Sequence, residues 1–513
     1  MIAPQGRAAA PDPQRLLQDA FSAYEARDRV RAEVLADRAL ALAPDLGRAW
    51  LLKGVVHSKD EVAVRLAVTQ QATAVDPADP QAWYNLGVIR QELNQYEAAI
   101  AAYRRAVMLD PFMSDALGNG CELLRRADQF DLALHWADRR LRLPGGEAWA
   151  THLNRAICLT RLRRFDEANV AFDRALALSP ETPIIHWERY SLLHFQRRFA
   201  EAWDSYEYRF ACGHLNGVSC YPFPQPIWRG EPLTGKSIVI HAEQGLGDQL
   251  MYACAVNAVI AAAGAVTLVA APTLTPLFAA AFPAARVLPA RFGAFPGDYP
   301  PPAWLDDLGP IDFQAPIGSL MAVLRRDEAS FDVTPYLRPS EAARAAWSKV
   351  PLGPGLKVGL CWASNPALFR FDSASRAVKK SMTLEAMAPL AAVEGVSFVS
   401  VLNWPIESLP EAFGDRLADL SDRLASMDDT AALIERLDLV ITVDTAVAHL
   451  AGAMGKPTWL LLHDFADCRW ELEADRSYWY RDVSLIRQSR PGDWAGVMAE
   501  TAARLAKRAE SGA

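Results

Sequence analysis

A period close to 34 residues runs through the first two hundred positions, and no other feature restricts the fold as strongly. Ala49-Trp50-x-x-x-Gly54 returns as Ala82-Trp83-x-x-x-Gly87. An aromatic residue with acidic residues and Ala close behind it stands at Tyr96, Phe130, Phe165 and Phe199. Prolines stand at Pro44, Pro77, Pro111, Pro144 and Pro180, where they end the second helix of each unit. Several independent positions keeping one period imply a repeated helix–turn–helix. One such hairpin cannot bury its apolar face alone, so neighbours stack into a curved solenoid. The spacing predicts five to six repeats over residues 14–211, after a disordered tail at residues 1–13. Gly54, Gly87 and Ala156 are small enough to let paired helices approach.

The pattern resembles the tetratricopeptide repeat. That resemblance implies a concave face able to grip a peptide or a protein surface. Asn85, Asn119 and Asn154 occupy similar places in successive first helices, where they can hydrogen-bond an extended backbone; solvated helix positions are the alternative. Arg155 lines the same groove or pairs with acids between repeats.

Residues 212–236 change character. Tyr221-Pro222-Phe223-Pro224-Gln225-Pro226 cannot be helix, and this Pro- and aromatic-rich linker is expected to be packed rather than loose. Beyond it the pattern alternates strand and helix. Asp438 to His463 reads as strand, turn, helix, turn, strand, with the β-branched run Leu439–Val443 suited to a strand buried on both faces. Asp444, Thr445 and Ala446 then fall at the carboxyl end of a parallel strand, where such sheets bind ligands. The free N–H groups of a helix's first turn favour an anion there. His449 lies one turn further on the same face as Thr445. A phosphate held by Thr445, His449 and backbone N–H groups is the functional reading; a capped, buried βαβ unit is the plain one.

A second strand–loop–helix begins at Ser237–His241 and continues through Glu243-Gln244-Gly245-Leu246-Gly247-Asp248. No third glycine completes a dinucleotide fingerprint. Asp248 can act as a general base or cap the helix, and Glu243 and His241 are its rivals for the base.

Two runs resemble the heptosyltransferase-like glycosyltransferases. They are Asp444-Thr445-x-x-x-His449-Leu450-Ala451-x-Ala453-x-Gly455-Lys456-Pro457 and Glu243 to Asp248. The resemblance implies two Rossmann-like domains facing a cleft, the GT-B arrangement, so that the whole is an all-α solenoid followed by an α/β fold. Residues 237–345 form the acceptor side. Residues 346–513 form the nucleotide-sugar side, with Trp494 to Ala506 as a closing helix that in such enzymes often packs back across the cleft. By the same resemblance Asp248 takes the acceptor's proton. Gly245, Gly247, Trp362, Asn365, Thr430, Asp444, Thr445, Ala446 and His449 face the donor, and Lys379 or Lys380 stabilises the departing phosphate. Ser364 stands where the family's Trp-Ala/Ser-Gly-Asn pattern has Gly.

The combination with a repeat is similar to soluble bacterial protein glycosyltransferases, including those that modify flagellin. It implies transfer of a sugar from a nucleotide sugar to Ser or Thr of a captured protein, with flagellin and a CMP-activated nonulosonic acid as the specific case. Lipopolysaccharide heptosyl transfer and a non-catalytic scaffold are the alternatives. The nucleotide sugar is a substrate, and no cofactor is implied. No Asp-x-Asp pair offers a divalent metal site, so basic side chains and helix dipoles are left to do a cation's work. A net charge of −8 argues against a nucleic-acid partner. Seven scattered cysteines fit a reducing compartment. With no apolar start and no run long enough to span a membrane, a soluble cytoplasmic protein is expected.

Overall fold

A computed structural model describes residues 12–213, 223–290, 308, 310–364 and 379–511. The chain divides into two compact units, Met1–Ile185 and His186–Ala513.

The first unit holds five helical hairpins: α1 (Pro13–Glu25) and α2 (Arg29–Leu42), α3 (Gly47–Val56) and α4 (Val62–Val75), α5 (Pro80–Glu92) and α6 (Tyr96–Leu109), α7 (Ser114–Arg126) and α8 (Phe130–Leu141), α9 (Trp149–Arg161) and α10 (Phe165–Leu178). Each periodic signal has a structural job. The aromatics Tyr96, Phe130 and Phe165 are the first residues of second helices. The Trp50 and Trp83 indoles donate to the carbonyls of Pro44 and Pro77 at 2.9 and 3.0 Å, tying each first helix to the loop before it.

The turn inside a hairpin is built on one left-handed residue, Arg27, Asn94, Asp128 or Arg163. The next N–H then reaches back to the helix, as Gln95 N does to the Arg90 carbonyl at 2.8 Å, so the last carbonyls are satisfied without glycine. The second repeat departs from this. After His57 it inserts a short 3-10 turn, Lys59–Glu61, closed by a Ser58–Glu61 capping box. That repeat also lacks the aromatic signal.

The close approach expected at the small residues is present. A Cβ on Gly54 would stand 2.5 Å from the Thr69 hydroxyl, and one on Gly87 2.6 Å from the Tyr103 ring. Gly87→Ala is therefore expected to destabilise the chain by about 1–3 kcal/mol despite alanine's better helix propensity. Thermal unfolding measures this, and an unchanged or raised midpoint would contradict it.

The second unit takes in α11 (Pro183–Phe195) from His186 onward, together with α12 (Phe199–Tyr206). Its described residues form two wholly parallel sheets. The first has order β3-β2-β1-β4, with β1 (Ser237–His241), β2 (Ala265–Ala270), β3 (Arg286–Pro289) and β4 (Phe313–Pro316). The second has order β10-β9-β8-β5-β6-β7, with β5 (Leu356–Cys361), β6 (Val396–Ser400), β7 (Leu417–Ala418), β8 (Leu439–Val443), β9 (Thr458–Leu462) and β10 (Val483–Arg487). β8 is buried at every position, as its unbroken apolar run requires. In the linker, Trp228 is buried and its N–H donates to the Gln314 carbonyl at 2.8 Å, so this stretch lies beside β4.

Phe199, Trp203 and Tyr206 of α12 join the same apolar core as both sheets. The sixth hairpin, though it carries the repeat's period, is thus part of the second unit. The Trp494–Ser511 helix packs on the Glu385–Ala392 segment and on β10, both belonging to the second sheet's lobe. The contacts expected across the cleft come from elsewhere. Tyr336 donates through its hydroxyl to the Leu250 carbonyl at 2.9 Å, and through its backbone N–H to the Ala453 carbonyl at 2.9 Å. No described helix is long and apolar enough to cross a membrane.

Candidate functional site

In a doubly wound sheet the ligand crevice opens where the strand order reverses, at the strands' carboxyl ends. In the second sheet that point lies between β5 and β8. It brings Trp362 and Ala363 beside Asp444, Thr445 and Ala446, and the Cys361 thiol lies 3.4 Å from the Thr445 hydroxyl. Thr445 caps the Ala446–Ala453 helix, accepting from Val447 N at 3.3 Å.

The first sheet's loop comes to this point. Its Leu246–Tyr252 helix packs on the Ala446–Ala453 helix. A Cβ on Gly247 would stand 3.0 Å from the His449 ring and 3.6 Å from the Ala446 Cα. Gly247 therefore sets the approach of the two lobes. Gly245 is the N-cap of its helix, next to Asp248.

One side chain joins the lobes. Arg469 Nη1 donates to Asp248 Oδ1 at 2.9 Å and lies 3.5 Å from His449 Nε2, while its Nε donates to Asp467 Oδ1 at 2.9 Å. His449 stacks on Trp470, with ring centroids 5.0 Å apart, and its Nδ1 is 2.9 Å from the Tyr480 hydroxyl. Tyr336, on the other side of Tyr480, donates through its hydroxyl to the Leu250 carbonyl at 2.9 Å. Arginine can only donate, so Nε2 of His449 receives from Arg469 and Nδ1 of the neutral ring carries the proton.

The Asp444 carboxylate accepts from Trp470 Nε1 at 3.0 Å and faces Lys380 Nζ at 3.5 Å. Burial pushes this carboxyl up, but Lys380 and Arg469 together bring it below its ordinary value. Polar contacts and one ring stack, His449 on Trp470, thus link Lys380, Asp444, Trp470, His449, Arg469 and Asp248. Glu471, directly after Trp470, is held at φ +55° and ψ −169°, a region glycine alone occupies easily. Arg197 clamps its carboxylate at 2.6 and 3.1 Å, which fixes the turn carrying Arg469 and Trp470.

The remaining sequence-predicted residues fall elsewhere. Glu243 is buried in an ion pair with Arg209 at 2.6 Å and accepts from Gly318 N at 2.8 Å, which leaves it no free edge for a substrate. His241 is buried, with Nε2 2.8 Å from Gln314 Oε1. Neither is placed to serve as the base. Thr430 is buried and its hydroxyl donates to the Ser426 carbonyl at 3.1 Å, so it binds its own helix start. His449, occupied at both nitrogens, steadies Arg469 rather than offering a donor. Lys379 is exposed as a residue, and partial desolvation by its neighbours lowers its pKa. Asn365 lies outside the described residues.

In the helical unit Asn119 donates to the Tyr84 hydroxyl at 3.4 Å and Asn154 accepts from Arg125 at 3.1 Å, both between neighbouring first helices. Asn85 accepts from Gln81 at 2.9 Å within its own helix. Arg155 pairs with Asp138 at 2.7 Å, which is the inter-repeat pairing left open by the sequence.

Arg469 escaped the sequence reading. Its only signal was Asp467-x-Arg469-Trp470, a charged pair set in an aromatic-rich run.

Burial, with Arg469 adding to it, pushes His449 down to about 3. Burial also lowers His194 to about 3 and His241 to about 4. These folded values lie below the unfolded one, so the unfolded chain alone takes up protons as the pH drops through about 6.5. The histidines' contribution is whole above that pH and is lost as pH falls toward the folded values, at about 1.4 kcal/mol per pH unit for each. The thermal midpoint is expected to fall steeply between pH 7 and 5, and His241→Gln to remove about a third of the slope. A flat profile over that range would contradict neutral burial.

The chain matches the family described as glycosyltransferase family 9 (heptosyltransferase) over residues 418–462, and the tetratricopeptide repeat over residues 80–113. The first match spans β7, β8 and β9 and so contains Asp444, Thr445 and His449. Protein FlbA of Caulobacter vibrioides is 28% identical over 493 residues, covering 91% of this chain and 80% of FlbA. Anaphase-promoting complex subunit 3 of Schizosaccharomyces pombe is 25% identical over 178 residues, 34% of this chain and 26% of that protein. Among solved structures, YrrB, described as a TPR protein with an unusual peptide-binding site, is 19% identical with a TM-score of 0.31, covering 34% of this chain and 90% of its own. The pilF protein of Pseudomonas aeruginosa is 19% identical with a TM-score of 0.32, covering 39% and 90%. Period, parallel sheets and family matches agree: a helical repeat that is similar to the tetratricopeptide repeat at residues 80–113 precedes an α/β region that is similar to glycosyltransferase family 9 at residues 418–462.

Proposed function

We propose that this protein is a metal-independent GT-B glycosyltransferase that moves a sugar from a nucleotide sugar to a Ser or Thr hydroxyl of a protein captured by its repeats. The observation that carries the reading is the 2.9 Å contact between Asp248 of one lobe and Arg469 of the other, beside the strand-order reversal of the second sheet. The donor's phosphates dock at the start of the Ala446–Ala453 helix, with Lys380 near them. The acceptor oxygen attacks the anomeric carbon as the bond from that carbon to the phosphate oxygen breaks. The electron pair leaves with the nucleotide, and Asp248 receives the hydroxyl proton. Asp444 positions Lys380 rather than touching phosphate, since a carboxylate would repel it.

The repeats support a protein acceptor, because a small glycan needs no such surface. Flagellin with a CMP-nonulosonic acid, in the cytoplasm, is the specific form of this reading. The test is mass spectrometry of flagellin and other proteins from cells carrying wild-type or Asp248→Asn protein. A sugar mass present with the first and absent with the second supports the reading, and identical spectra count against it. The family's heptosyltransferase description favours a second reading, a lipopolysaccharide acceptor. Loss of core heptose in the variant strain, with protein masses unchanged, would select it.

A further inference from the structure

The Proposed function leaves open which cation meets the donor's phosphate and why Asp248 begins engaged. His449 supplies no charge, because an Arg469 N–H points at its Nε2 and its other nitrogen donates onward to Tyr480. Arg469 is anchored at one end only: its Nε and backbone N–H both donate to Asp467 Oδ1, at 2.9 and 3.1 Å. Nη1 turns to Asp248, and no described residue hydrogen-bonds Nη2. The side chain keeps 19% exposure, as does that of Asp248. Among the described residues the guanidinium thus has a fixed pivot, one exchangeable partner and one N–H edge not engaged by them.

Among the described residues the ion pairs here join three carboxylates, Asp248, Asp444 and Asp467, to two cations, Arg469 and Lys380. A phosphate entering such a cluster has to displace a carboxylate from a cation. Asp444 is held by Trp470 as well as by Lys380, and Asp467 by three contacts from Arg469 and Cys468. Asp248 has Arg469 as its one ion-pair partner among the described residues. It is the carboxylate most readily exchanged. A planar guanidinium is also well shaped to bind phosphate through two N–H groups.

Resting on the donor-site reading above, we propose that Arg469 is the phosphate-receiving cation and that it trades Asp248 for the donor's phosphate, which releases Asp248 to take the acceptor's proton. Donor binding then precedes competence of the base, and Arg469 is the residue that couples the two.

Calorimetric titration of the full-length chain with UDP, GDP, CMP and inorganic pyrophosphate tests this. Asp248→Asn, nearly isosteric, is expected to bind the preferred probe about 10-fold more tightly than wild type, because the competing carboxylate is gone. Arg469→Gln is expected to bind about 10-fold more weakly. The double variant is expected to behave like Arg469→Gln alone, since the gain acts through the arginine. Unchanged or weaker binding by Asp248→Asn overturns the proposal. So does a gain of equal size in the Arg469→Gln background, which would mark simple repulsion. Either result leaves the donor site standing, whereas a wild-type chain that binds none of the probes overturns that reading and the proposal with it.

Discussion

Asp248→Asn is expected to lower kcat by about 10²- to 10⁴-fold, the usual contribution of a general base, while leaving the thermal midpoint nearly unchanged. The two effects separate because of where the residue sits. Asp248 lies in the first turn of a short helix packed on the Ala446–Ala453 helix, with its carboxylate partly exposed and in one ion pair among the described residues. Replacing it with Asn removes a proton acceptor without leaving a cavity. Each side chain of the pair keeps only 19% exposure, but the Asn amide oxygen can still accept the Arg469 N–H, so the loss is on the order of 1 kcal/mol and the fold hardly registers it. Steady-state transfer rates measured beside calorimetric unfolding check both halves. A variant that keeps wild-type kcat would remove Asp248 from the chemistry.

Arg209→Met is expected to do the reverse. Arg209 is fully buried at the carboxyl end of the first sheet, beside the reversal between β1 and β4. Its guanidinium donates to both Glu243 oxygens at 2.6 and 2.9 Å, to Ser319 at 2.8 Å and to Glu207 at 2.8 Å. It also lies over the rings of Tyr206 and Phe210, 4.1 and 4.0 Å from their centroids. Removing it leaves the Glu243 carboxylate buried without a counter-charge, which costs about 3–5 kcal/mol. In a domain this large that is a fall in midpoint of roughly 10 °C, or loss of soluble protein. Glu243→Gln added to Arg209→Met should recover part of the loss, because the stranded charge goes with it. A single variant that melts with the wild type would show that the pair is not a structural lock.

Those two residues mark the limit of what the sequence discloses. Periodic features were legible because each serves a local need. A proline ends a helix, an aromatic starts the next, and a β-branched run makes a buried strand. The short strands β4, β7 and β10 left no such mark. Nor did the unit boundary near Ile185, because α11 and α12 keep the repeat's spacing while Trp203 and Tyr206 turn their rings into the other core. At the site, residue types fixed the candidates but not their partners. Glu243 and Asp248 stand in one loop with the same chemistry, and only burial beside Arg209 separates the locked carboxylate from the one proposed as base. Arg469 could not be chosen in advance because its meaning lies in Asp248 and His449, which are distant in the chain.

The most direct measurement is a crystal structure of the full chain with the nucleotide that binds best in titration. The phosphates are expected against the first turn of the Ala446–Ala453 helix, with Lys380 and Arg469 on them and Asp248 no longer paired to Arg469. Phosphates bound away from β5 and β8, or an Arg469–Asp248 pair intact beneath the bound nucleotide, would contradict it.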